Sequence, residues 1–141
     1  MNARLDSLQA AVLLAKLPEF ESEIERRNLL ADYYDSRLAG AVVTPLRVDG
    51  SISAWAQYTI QVDDRDAVLR RLGEAGIPTA IYYPTPMHFQ PPYAPYGDGP
   101  GSLPVSETIC ERVFSLPMHA YMEPRTAELI AETVLAAVVG G

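Results

Sequence analysis

Ile77-Pro-Thr-Ala-Ile-Tyr-Tyr-Pro-Thr-Pro-Met-His-Phe-Gln-Pro-Pro-Tyr-Ala-Pro-Tyr-Gly97 starts as a strand and stops being one. Residues 77–83 are apolar, β-branched and aromatic, which predicts a buried strand. From Pro84 the prolines come at 84, 86, 91, 92 and 95. Proline has no N–H and a fixed φ, so neither a helix nor a central strand continues through them. The chain must leave the sheet here as a stiff loop carrying Tyr82, Tyr83, His88, Gln90, Tyr93 and Tyr96. Rings with polar tips on a rigid loop suit a binding wall, and they equally suit packing over a sheet edge.

Working outward, strand and helix signals alternate. Upstream, Trp55, Gln57, Thr59 and Gln61 alternate with Ala56, Tyr58, Ile60 and Val62, predicting a strand over 54–62. Asp63 and Asp64 are placed to cap a helix carried by Ala67, Val68, Leu69 and Leu72, which Gly76 ends. If the strands before and after that helix are parallel, the unit is a right-handed crossover. Further back, Val42 and Val43 start a short strand, and Asp49-Gly50 marks a turn. Pro18 opens a helix with an inner stripe of Phe20, Ile24, Ala31, Tyr34 and Leu38, and Glu23 can pair with Arg27 one turn on. Residues 2–17 read as a helix apolar nearly all round, which needs cover from another subunit or domain. Downstream, 97–102 is a turn, 104–113 a helix and 114–117 extended. A last helix from Pro124 turns Leu129, Ile130, Thr133, Val134 and Val138 inward. The result is a small α/β domain, a short sheet flanked by about five helices, and no doubly wound nucleotide fold.

Composition narrows the function. With 141 residues, 48% hydrophobic and 21% charged, the chain can build one domain with a core. A net charge of −7 argues against a nucleic-acid or anionic membrane partner. A lone cysteine, Cys110, excludes an internal disulfide and fits a reducing, cytoplasmic setting. His88, Cys110 and His119 are too scattered in sequence to predict a metal site. Lys16, the single lysine, lacks a phosphate cradle or acidic partner nearby and reads as a snorkelling surface side chain.

Several short motifs in order resemble one family. They are Asn2-Ala-Arg-Leu-Asp6 with Gln9-Ala-Ala11, Glu25-Arg-Arg27, Tyr33-Tyr34, Ala54-Trp-Ala-Gln-Tyr58, Gly76-Ile-Pro-Thr79, Tyr82-Tyr-Pro-Thr-Pro-Met-His-Phe-Gln-Pro91 and Ser115-Leu-Pro-Met-His119. Together they resemble the C-terminal part of DegT/DnrJ/EryC1/StrS aminotransferases, which use pyridoxal 5'-phosphate (PLP) to aminate nucleotide-linked keto-sugars. The resemblance implies the small domain of an aspartate-aminotransferase-like (fold type I) enzyme over residues 1–141. The large domain with the cofactor lysine would lie outside this chain, and the chain alone would be inactive. It further implies a homodimer with active sites at the subunit interface. Asn2 would reach the cofactor phosphate, and Arg4, Tyr82, Tyr83 and His88 would line the substrate site. Tyr82 departs from the histidine many relatives carry there. The motif wording is closest to the branch that aminates C3 of a UDP-linked 3-keto uronic acid in surface-glycan and lipopolysaccharide assembly, with glutamate as donor. The alternative is a stand-alone binding or oligomerisation module that kept the fold without catalysis.

Overall fold

The computed structural model describes residues 5–140. The predicted roles of Asn2 and Arg4 therefore fall outside the described residues. The order is α1 (Ser7–Lys16), α2 (Phe20–Leu38), β1 (Tyr58–Gln61), α3 (Arg65–Glu74), α4 (Pro104–Arg112), β2 (Val113–Leu116) and α5 (Pro124–Val139). Five α-helices thus accompany a short sheet among the described residues, as the sequence predicts.

The sheet is more economical than its sequence signals. β1 and β2 pair antiparallel, with Tyr58 opposite Leu116 and Ile60 opposite Phe114. Single bridges extend the ladder on both sides: Val43 joins Gln61, and Ala80 joins Ser115, both antiparallel. β1 and the chain at Ala80 therefore run in the same direction with β2 between them, so the expected crossover does not join neighbouring strands. The predicted strand over 77–83 is not formed. Pro78 and Pro84 bracket it and withhold ladder donors, leaving Ala80 to make both bonds with Ser115 (3.2 and 2.8 Å).

The strand over 54–62 shortens for a different reason. Trp55 has φ 45°, a left-handed conformation rare outside glycine. That kink breaks the alternation and turns the indole into the core, whereas the pleat alone places it opposite Tyr58. Two neighbours on α2 hold it. Arg27 Nη1 donates to the Trp55 carbonyl (3.1 Å), and Trp55 Nε1 donates to Asn28 Oδ1 (3.0 Å). Asn28 Nδ2 in turn donates to the Ser53 carbonyl (2.9 Å). Arg27 is thus not paired with Glu23, which accepts from the Tyr121 hydroxyl instead (2.6 Å).

The core lies between the sheet and the α2–α5–α3 layer. Ala31, Tyr34 and Leu38 of α2, Val68 and Leu72 of α3, and Ala127, Ile130, Ala131, Val134 and Ala137 of α5 are buried together with Tyr58, Ile60 and Phe114. On α2 the predicted stripe holds at Ala31, Tyr34 and Leu38 and fails at Phe20, which is exposed at the helix start; on α5 Ile130 and Val134 point inward as predicted, but Leu129 is exposed. On α5 the small residues Ala127, Ala131 and Ala137 face inward, because only a short side chain lets α2 and α3 approach. Asp64 alone caps α3, accepting from the Ala67 N–H (3.1 Å), while Asp63 pairs with Arg112. α1 begins at Ser7, with Asp6 and Gln9 closing a capping box. None of its residues is buried, and Leu5, Leu8, Val12, Leu13 and Leu14 stand more than half exposed.

Candidate functional site

The proline-rich segment leaves the sheet edge at Ala80 and wraps outward through two 3-10 turns, Met87–Phe89 and Ala94–Tyr96. Tyr82 (54%) and Tyr83 (72%) stand exposed at its start. Beneath Tyr82 is a cleft of about 210 Å³, with Gln57, Thr79, Ser115 and Met118 in its lining. The Trp55 kink shapes one side of this cleft, since Ala56 and Gln57 follow it directly. Non-glycine left-handed backbone held by specific bonds often marks functional walls. The cleft floor is fixed by Thr59 and Ser115, whose hydroxyls meet at 2.8 Å across the ladder.

His88 sits differently from the tyrosines. Its side chain is only 8% exposed, and Nε2 lies 3.1 Å from Glu107 Oε1. The Glu107 carboxylate also accepts from the Gly101 N–H (3.0 and 2.9 Å) and the Leu103 N–H (3.1 Å). The Gly101 bond most strongly, then the Leu103 bond and His88, hold this carboxyl below the usual carboxylate range against partial desolvation. Gly97 packs against the His88 backbone and Cβ; a Cβ there would come within 3.1 Å of His88 Cβ. The structure thus sets Tyr82 on the cleft, leaves Tyr83 exposed beside it, and places His88 in the loop's interior.

Sequence reading missed Glu107 and Asp35, and it placed Trp55 in a regular strand rather than at a kink. Asp35 accepts from the buried Tyr58 hydroxyl (2.6 Å) and from Arg47 (2.6 Å). Burial first, then that bond, raises the Tyr58 phenol far above the ordinary tyrosine range. A signal for Glu107 existed: an acid in the first turn after a helix-opening proline.

Two of the larger cavities lie on other faces of the core. One of about 530 Å³ is bordered by Asp63, Arg71 and Arg112, but both arginines are already engaged: Arg71 with the Ala137 carbonyl (2.5 Å), and Arg112 with Asp63 and the Val62 carbonyl. The other, about 360 Å³, lies between Tyr33 of α2 and His119. Lys16 is exposed in the last turn of α1 and has no buried setting that would hold a cofactor carbonyl.

Comparison with known proteins places this architecture. The model of the DegT/DnrJ/EryC1/StrS aminotransferase family matches residues 1–135. The chain belongs to the DegT/DnrJ/EryC1/StrS aminotransferase family. Among curated members it is 43% identical over 131 residues, 92% of its length, to the UDP-2-acetamido-2-deoxy-3-oxo-D-glucuronate aminotransferase of Pseudomonas aeruginosa. It is 39% identical over 137 residues to the EryC1 protein of Saccharopolyspora erythraea, covering 96% of this chain. Among solved structures, a family aminotransferase from Brucella abortus superposes with a TM-score of 0.91 at 42% identity, over 98% of this chain and 37% of that one. DesV from S. venezuelae, solved in complex with a ketimine intermediate, also gives 0.91, at 35% identity, over 96% of this chain and 37% of that one. The chain spans 36% and 37% of the lengths of the two curated relatives. The small sheet and its helices are therefore the family's aminotransferase fold over that third.

Proposed function

We propose that this family domain is the C-terminal part of a PLP-dependent aminotransferase that passes an amino group from glutamate to a UDP-linked 3-keto-sugar for surface-glycan biosynthesis. The observation that carries the reading is the 43% identity, over 92% of the chain, to an enzyme named for a UDP-linked 3-oxo-glucuronate. PLP supplies the electron sink for moving the amino group when it is bound. The residues of this chain bind, orient and enclose. Asn2 donates its amide to the cofactor phosphate, and Arg4 grips an anionic group of the nucleotide sugar through its planar fork. The exposed phenols of Tyr82 and Tyr83, beside the cleft that contains Gln57, offer donors to sugar hydroxyls and an apolar face to the ring. His88 contributes to the shape of that wall. The working enzyme is a cytoplasmic homodimer whose sites are completed across the interface, and the exposed apolar faces of α1 are covered there or by the large domain.

The test is to compare the 141-residue chain with a full-length enzyme that contains it. The full-length enzyme should transaminate the UDP-keto-sugar with glutamate, and the chain alone should not. Turnover by the chain alone, or a stoichiometric change in PLP absorbance on mixing it with the cofactor, overturns the division of labour. The exposed α1 also supports a second reading, a stand-alone self-association module. A stable oligomer of the chain, with no activity in any longer form, would favour that one.

A further inference from the structure

Residues 82–103 form a long loop that burial cannot hold in shape. Across these residues Pro86 alone is buried; His88, Gly97 and Gly99 are half-buried, and the others are exposed. A segment of this length with only two 3-10 turns would otherwise sample many conformations. The binding wall under the proposed function needs one conformation, since misplacement by about 1 Å costs roughly 10²-fold in rate.

One side chain outside the loop supplies the missing order. Glu107 projects from the first turns of α4, and its carboxylate meets three donors from separate parts of the loop: the His88 ring, Gly101 N–H and Leu103 N–H. His88, six residues into the segment, is thereby joined to its C-terminal end through one group. The His88 ring lies against the Phe89 ring (centroids 4.4 Å apart) and its Cβ and backbone lie against Gly97, so fixing the imidazole also restrains residues 89 and 97. A carboxylate against Nε2 selects the tautomer with the proton on Nε2 and leaves Nδ1 without one.

We propose that Glu107 is the positioning residue of the substrate wall: it locks His88 as the Nε2–H tautomer and ties residues 88, 101 and 103 together, so that Tyr82 and Tyr83 face the nucleotide sugar in one arrangement. This rests on the reading that the loop faces substrate. The lock itself is independent of that reading.

Nitrogen-15 NMR on the 141-residue chain tests the lock. At a pH where the ring is neutral, His88 should show the Nε2–H tautomer. In Glu107→Ala the tautomers should mix, and amide exchange of Gly101 and Leu103 should rise by about tenfold or more, while amides of α2, β1 and α5 exchange as in the parent. An Nδ1–H tautomer in the parent, or unchanged exchange at Gly101 and Leu103, overturns the proposal. If the alanine variant loosens the whole chain, Glu107→Gln decides. It keeps Oε1, which His88, Leu103 and Gly101 share, and turns an N–H₂ toward Gly101 in place of Oε2, so Gly101 should exchange faster than Leu103, and an equal rise at both overturns the lock.

The wall is tested in the full-length enzyme. Glu107→Ala, which removes all three contacts, should raise KM for the nucleotide sugar by about fivefold, with kcat and the KM for glutamate within about twofold, and Glu107→Gln, which keeps Oε1 for His88 and Leu103, should restore most of it. An unchanged sugar KM overturns the positioning role. An enzyme containing this chain that aminates no sugar refutes the proposed function alone, and the tautomer and exchange measurements still decide the lock.

Discussion

Asp35, Tyr58 and Arg47 offer the sharpest test of how this fold is held. The Tyr58 hydroxyl sits on a residue with no solvent exposure and donates to Asp35 Oδ1 at 2.6 Å. Asp35 Oδ2 accepts from Arg47, which also pairs with Asp32 at 2.5 Å. Removing the acceptor strands a buried phenol, so Asp35→Ala should cost about 2–3 kcal/mol, the upper range for leaving a buried group unsatisfied. Tyr58→Phe removes the donor instead. The Asp35 side chain is 24% exposed and still holds Arg47, so water repairs its lone pair and the cost should be about 1 kcal/mol. The double variant leaves nothing orphaned. It should cost about 2 kcal/mol in total, a coupling of about 1–2 kcal/mol between the sites. Urea unfolding of the four proteins measures the cycle, and for a chain of this size each kcal/mol moves Tm by roughly 3 °C. Additive single costs would show that the phenol finds another partner and that this bond does not organise the α2–β1 contact.

Three further outcomes follow from other parts of the molecule. Ala131→Leu should destabilise by about 1–3 kcal/mol in urea unfolding, because Ala131 is fully buried on the α5 surface that meets α2 and α3. Leu8→Gln on α1 should change stability by less than about 0.5 kcal/mol, since the side chain is exposed, while lowering any self-association seen by sedimentation. Glu107 has its folded pKa lowered, so its contribution is present above the ordinary carboxylate range and is lost as pH falls through the depressed value. An acid titration followed at the Gly101 and Leu103 amides should therefore show the loop loosening below the pH where exposed carboxylates protonate; loosening at or above that pH contradicts the assigned bonds.

The sequence alone determined the helices, their approximate ends and the point at 84 where regular structure stops, because proline geometry, capping acids and 3.6-residue periodicity are local properties. It also carried the family, since short motifs persist in order along the chain. Tertiary structure decided what local rules cannot. Whether residues 77–83 become a strand depends on donors that Pro78 and Pro84 withhold and on the partner that Ser115 offers. Which face Trp55 takes depends on Arg27 and Asn28, about 27 residues earlier, paying for a left-handed backbone. The partner of His88 is 19 residues away on another element. Periodicity records which residues want burial, but a hydrogen bond between distant segments leaves no period, so the organisation of the candidate site emerged only once the chain was folded.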